Sequence, residues 1–214
     1  MAKCLLITRP EHDEVTLYLS KWSKHIIDEA QNKSFDVIDL HRTKANKERM
    51  IGTLEKRLVS LAVINGHGSS DAVAGHDNEI LANDQNKSSL KGTVVYARSC
   101  QSAKKLGPAA VKAGAFAYLG YQEDFYFFTE PEKMSRPLED KTAELFLAPS
   151  NYVALGLLKG HSAEDANNRS KAKFRKTMEQ IFIAGTNSTN YYTLRFLYWD
   201  MINQVCLGDG KAKV

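Results

Sequence analysis

Two residues carry the reactive chemistry of this chain. His67 follows the apolar run Leu61-Ala62-Val63-Ile64 in the sequence Asn65-Gly66-His67-Gly68. Cys100 follows the run Thr93-Val94-Val95-Tyr96-Ala97, after Arg98 and Ser99. A thiol beside an imidazole is the minimal equipment of a cysteine nucleophile with its base. His67 would take the thiol proton on attack and return it to a leaving amine. Gly66 and Gly68 flank the histidine and let the backbone approach a substrate. The backbone N–H groups of Gly68 and Cys100 are candidate oxyanion donors. A free thiol is a poor nucleophile at neutral pH, and a helix beginning just after Cys100 would favour thiolate through its N-terminal dipole. The sequence forces no third catalytic residue.

Such a pair works only if the fold brings its members together, so the elements that carry them come next. Short apolar runs alternate with amphipathic stretches through the first two-thirds of the chain. Strands are expected at Cys4–Thr8, Phe35–Leu40, Leu61–Ile64, Thr93–Ala97 and Phe116–Leu119. Helices are expected at Glu14–Ala30, Lys44–Leu58 and around Pro108–Ala113. This rhythm predicts a doubly wound α/β layer with a mostly parallel sheet flanked by helices. Sites form at the carboxyl ends of such strands, where His67 and Cys100 both stand. Asp71–Ser89 is polar and irregular, with room for a small hairpin around Gly75–Ile80.

After Tyr121 the pattern changes. An aromatic run, Phe125–Phe128, precedes a turn-rich stretch to Pro137. From Leu138 the chain reads as mostly helical, at Glu139–Phe146, Asn151–Lys159, Ala163–Ala184 and Tyr191–Cys206, with a frayed tail from Gly208. The expected organisation is an α/β core over residues 1–137 and a helical extension over 138–214 that packs on it.

Composition narrows the class. Of 214 residues, 43% are hydrophobic and 25% charged, as in ordinary globular domains. No apolar run approaches the ~20 residues of a membrane span, and Met1–Ile7 reads as a strand rather than a signal, so no membrane partner is expected. Three cysteines without paired spacing argue for free thiols, a cytoplasmic setting, and no disulfide framework or zinc site. The net charge of +4 comes from Lys159–Lys176, where Lys159, Arg169, Lys171, Lys173, Arg175 and Lys176 face Glu164 and Asp165. No stacking aromatics interleave with these charges, so a solvated helix face is expected rather than a nucleic-acid surface. No glycine-rich phosphate loop is present, which counts against nucleotides.

The stretch Leu61–Tyr121 resembles the caspase-like cysteine peptidases, the superfamily of caspases, metacaspases, gingipains, separases and CHAT domains. The matching pieces are an apolar strand with His67-Gly68-Ser69, a strand with Ser99-Cys100-Gln101-Ser102, and Lys112–Tyr121 with Gly114-Ala115 before its strand. The resemblance implies a caspase-like fold and a regulated processing endopeptidase with His67 as base and Cys100 as nucleophile. It implies no metal or organic cofactor, a protein or peptide substrate, and control by an activating partner or a homodimer. A chain of this length leaves no room for a separate sensor domain, so any sensing is expected from another chain. The rival reading is an inert or latent caspase-like module used for binding or assembly. A third, weaker reading is a flavodoxin-like protein with a ligand at the same sheet edge.

Two features pull the substrate preference in opposite directions. Arg98, two residues before the cysteine and on its strand face, would attract Asp or Glu before the scissile bond. Gln122-Glu123-Asp124 resembles the acidic turn that binds a basic side chain in separases, with Asp124 as the matching position. Arg98 and Asp124 could also pair with each other and leave a neutral pocket. The acidic turn, and thus Arg or Lys, is slightly favoured. His12, His25, His41 and His161 show no metal spacing, His76-Asp77 reads as an exposed loop, and Cys4 and Cys206 read as core.

Overall fold

The computed structural model describes residues 3–185 and 190–214. The chain runs β1 (Cys4–Arg9), α1 (Glu14–Trp22), α2 (Lys24–Asn32), β2 (Asp36–His41), α3 (Lys47–Lys56), β3 (Leu61–Asn65), β4 (His67–Gly68), β5 (Ala72–Ala74) and β6 (Ile80–Asn83). It continues through β7 (Val94–Arg98), α4 (Leu106–Lys112), β8 (Ala117–Tyr121), α5 (Lys141–Leu158), α6 (Ala163–Ala184), α7 (Leu194–Asn203) and β9 (Gln204–Gly208). The main sheet has the order β2-β1-β3-β7-β8-β9. Its first five strands are parallel, and β9 closes the edge antiparallel to β8.

Strands β1, β3, β7 and β8 are buried along their whole length, which is why they read as continuous apolar runs. Successive residues serve opposite faces. Leu5, Ile7, Leu61, Val63, Val94 and Tyr96 pack with Ile26 of α2 and Val153 and Leu157 of α5. Leu6, Ala62, Ile64, Val95 and Ala97 pack with Met50 of α3 and Leu106 and Ala110 of α4. Phe128 packs edge-on to Phe146 and Phe196 at 5.7 and 4.8 Å, so the aromatic run joins the C-terminal helices to the core.

Five local expectations change. The helix expected over Glu14–Ala30 is two helices meeting at buried Ser23, whose Oγ donates to Leu19 O at 2.7 Å. The irregular insertion holds a three-stranded antiparallel sheet, β4-β5-β6, with Val73 opposite Ala82. The two helices expected around Pro149 are one, α5, in which Pro149 is buried and its carbonyl accepts from Ser170 Oγ on α6 at 2.8 Å. The helix expected over Tyr191–Cys206 stops at Asn203, and its end becomes β9, with Gln204 opposite Tyr121 and Gly208 opposite Ala117. The open edge of β8 offers backbone groups that only a strand can pair. The tail is held as well: Ala212 and Val214 are buried, Ala163 N donates to Ala212 O at 2.9 Å, and Lys3 Nζ reaches Val214 O at 2.7 Å. Among the described residues no helix is long and apolar enough to cross a membrane.

Candidate active site

Strands β3 and β7 are neighbours, with Asn65 opposite Arg98. His67 and Cys100 each stand two residues beyond that pair, so the sheet delivers both to one edge. Glycines make the approach close. A Cβ at Gly68 would lie 2.2 Å from Cys100 O and 2.8 Å from Cys100 N, so only glycine lets the two segments touch. A Cβ at Gly66, whose φ is +152°, would meet Ala74 O at 1.8 Å. Gln101, next to the cysteine, has the left-handed φ of 56°. Non-glycine residues in that region cluster at functional sites. Its backbone is held on both sides, N–H donating to Glu123 O at 3.1 Å and O accepting from Lys104 N at 2.8 Å.

A third residue joins the histidine. Asp13 Oδ2 lies 2.5 Å from His67 Nε2. With Nε2–H donating to this carboxylate, the lone pair of His67 is on Nδ1, the tautomer a general base needs. Asp13 caps α1, accepting from Thr16 N at 2.8 Å, so its direction is fixed by the helix start. Burial alone would raise its pKa, but the Thr16 N–H and the His67 ring outweigh it and hold the carboxyl at about 2. Sequence reasoning passed over Asp13. Its signal was position: it follows β1, the other neighbour of β3, and so reaches the same sheet edge.

Cys100 is half-buried, and its Sγ faces Phe125 O at 3.8 Å. Burial pushes its thiol up, backbone hydrogen bonding at Phe125 and at Cys100 itself opposes this, and Asp124 and Asp200 push it further up. Together these surroundings favour the thiol over the thiolate. The expected helix dipole is absent because α4 begins only at Leu106, after a turn.

Arg98 does not line a pocket, a correction to its expected role. Its side chain is fully buried. Nε donates to Asn65 Oδ1 at 3.0 Å, Nη1 to Asn151 Oδ1 at 2.6 Å, and Nη2 to Leu19 O and Ser23 Oγ, both at 2.8 Å. The guanidinium ties β3, β7, α5 and the α1–α2 junction together. Nor does it pair with Asp124, whose Oδ1 accepts from Gln101 Nε2 at 2.8 Å. Glu123 pairs with Lys104 at 2.8 Å, so its charge is already answered. Asp124 is partly buried beside Cys100, close enough to act on the thiol. A cleft of about 260 Å³ adjoins His67 and Gly68 and is lined further by residues of β5 and β6 and by Asn78.

No family model and no curated protein matches this chain. Solved structures do. The Arg-specific cysteine proteinase gingipain R aligns over 99% of this chain and 47% of its own, with a TM-score of 0.65 and 11% identity. A complex of the pro- and mature domains of RgpB from Porphyromonas gingivalis aligns over 99% and 48%, with a TM-score of 0.64 and 11% identity. A further structure described as a protease covers the same shares with a TM-score of 0.57 and 13% identity. The chain thus spans about half the length of the structures it resembles. At these identities the likeness is one of fold. The fold is caspase-like, a mostly parallel sheet flanked by helices, and it is shared with cysteine proteases.

Proposed function

We propose that this protein is a cysteine endopeptidase with Cys100 as nucleophile, His67 as general base and Asp13 as the residue that orients the imidazole. The observation that carries this reading is the close contact of Gly68 with Cys100 at the ends of adjacent strands, with His67 held by a carboxylate at 2.5 Å. In the proposed reaction His67 Nδ1 takes the thiol proton as Sγ attacks the scissile carbonyl. The N–H groups of Gly68 and Cys100 receive the oxyanion. The proton passes to the leaving amine, and water then releases the acyl group from sulfur.

A basic residue before the scissile bond fits the electrostatics. With Arg98 enclosed in the core, nothing supports an acidic preference from that position. Of the two acidic groups that act on the thiol, Asp200 is fully buried, whereas Asp124 is partly exposed and accepts from the neutral amide of Gln101 rather than from a cation. An Arg or Lys side chain bound there would neutralise a carboxylate that disfavours thiolate, so the proper substrate would help ionise its own nucleophile. No cofactor is needed for this chemistry. The substrate is a protein or peptide in the cytoplasm, and an activating partner or a second copy would govern access.

The raised Cys100 pKa also favours a second reading, a latent or inert module whose thiol stays protonated. A peptidyl acyloxymethyl ketone with Arg at its reactive end separates the two. An enzyme is labelled at Cys100 alone, and His67→Ala abolishes the labelling. A protein whose Cys100 stays unlabelled is the inert module.

A further inference from the structure

Three of the six histidines, the proposed base His67 among them, converge at this edge. His12 comes from the β1–α1 connection, and its ring centroid lies 5.9 Å from that of His67 and 5.4 Å from that of His76. We propose that His12 Nε2, Asp13 Oδ2 and His67 Nε2 form a binding site for Zn2+, and that the bound ion switches off His67 as a base.

Each of the three residues offers a ligand atom within 4.8 Å of the other two. Asp13 Oδ2 is 2.5 Å from His67 Nε2 and 3.5 Å from His12 Nε2. Tetrahedral zinc with bonds of about 2.0–2.2 Å sets its ligands roughly 3.3 Å apart, so the triangle needs only small side-chain shifts. The exposed His67 side chain, 39% open, can make that shift while Asp13 stays in its cap, which uses Oδ1 and leaves Oδ2 free to ligate. Asn78 Oδ1, 3.4 Å from His12 Nε2, stands where a fourth oxygen could complete the shell. Two imidazoles and a carboxylate suit zinc and its neighbours rather than calcium or magnesium, which take oxygen ligands.

His12 supplies an independent sign. Its side chain is only 11% exposed, yet among the described residues Nδ1 is buried without a partner and Nε2 has only that 3.4 Å contact with Asn78 and the 3.5 Å approach to Asp13. Both separations exceed a good N–H···O hydrogen bond. A nearly buried imidazole with neither nitrogen well bonded is costly to keep unless something else uses it. A metal on Nε2 gives that nitrogen a strong partner and fixes the ring proton on Nδ1.

The consequence for the base follows from the tautomer. A metal takes the Nε2 lone pair of His67, so the ring proton must sit on Nδ1. Nδ1 can then no longer accept the thiol proton, and the Asp13 hydrogen bond that oriented the ring is replaced by coordination. This inhibitory step rests on the peptidase reading, whereas the metal site does not.

The test uses Co2+, whose visible d–d absorption reports the coordination directly, titrated into Cys100→Ala so that no thiolate at position 100 contributes. One saturable equivalent, displaced by Zn2+, is expected. Adding either His12→Ala or His67→Ala should weaken binding by at least about tenfold. His67 is partly exposed, so its variant remains folded and informative even where His12→Ala does not. Wild type should lose Cys100-dependent cleavage with Zn2+ and regain it with a chelator. No saturable absorption, or equal affinity in His67→Ala, overturns the site. One-equivalent binding in a protein that cleaves nothing upholds the site and removes the peptidase reading instead.

Discussion

Arg98 and Cys100 lie two residues apart on the same segment, yet their surroundings differ completely. Arg98 is enclosed, and every nitrogen of its guanidinium donates to a neutral oxygen of the interior. Opposite it on β3, Asn65 accepts from Arg98 and donates to Thr8 O at 2.6 Å. Cys100 and His67, two steps further out, are only partly covered. Sγ has one long contact, and the histidine is held through one ring nitrogen. The inner layer fixes where the strands end, and the outer layer keeps its reactive atoms uncommitted. Precise sites rest on rigid elements of this kind. Charge alone does not distinguish the two layers: the cation that looked poised for substrate is a strut, and the carboxylate that caps α1 also holds the His67 ring.

Breaking the inner layer should have the largest effect. Arg98→Ala leaves the buried Oδ1 atoms of Asn65 and Asn151 without the donor they have now, and should cost about 3–5 kcal/mol of stability in chemical denaturation. Arg98→Glu on the expectation of a pocket role would change specificity; on the present account it prevents folding. In the outer layer, Asp13→Asn should leave the fold intact and lower kcat/KM by about 10²-fold or more, since an amide can hold the wrong tautomer of His67. Asp13 also gives this layer a pH dependence. Its carboxyl is depressed to about 2, so its contribution is present above the ordinary Asp range and is lost as pH falls through about 2. Asp124→Asn should reduce the preference for Arg or Lys over a neutral residue by about tenfold, the value of one charged hydrogen bond. The smallest effect concerns the free thiol. Its raised pKa predicts iodoacetamide alkylation of Cys100 slower than that of an exposed thiol at neutral pH, rising as pH becomes alkaline. Faster alkylation at mildly acidic pH would mean that a positive charge reaches Sγ.

How much of this was legible in the sequence follows the same division. The buried parallel strands announced themselves, because a strand covered on both faces is apolar throughout. With those strands came His67 and Cys100, each a fixed step past a strand end. Asp13 was hidden because its partner lies 54 residues away, and only the order β1-β3-β7 makes them neighbours. The convergence of His12, His67 and His76 was hidden for the same reason: ligand spacing in sequence says nothing when three loops meet in space. Arg98 misled because alternation along a strand gives its face but not its depth, and the apolar stretch is ended by a cation that the core absorbs. Gln204–Gly208 carries one β-branched residue, Val205, and follows a helical period directly, so pairing with the edge of β8 is what makes it a strand.

The claim that His67 and Cys100 act together is tested most directly by digesting a diverse peptide library, read by mass spectrometry, with wild type, Cys100→Ala and His67→Ala side by side. The account predicts cuts after Arg or Lys in wild type alone. Cuts that persist in Cys100→Ala, or no cuts by a wild-type protein whose Cys100 also refuses the Arg ketone, would contradict it.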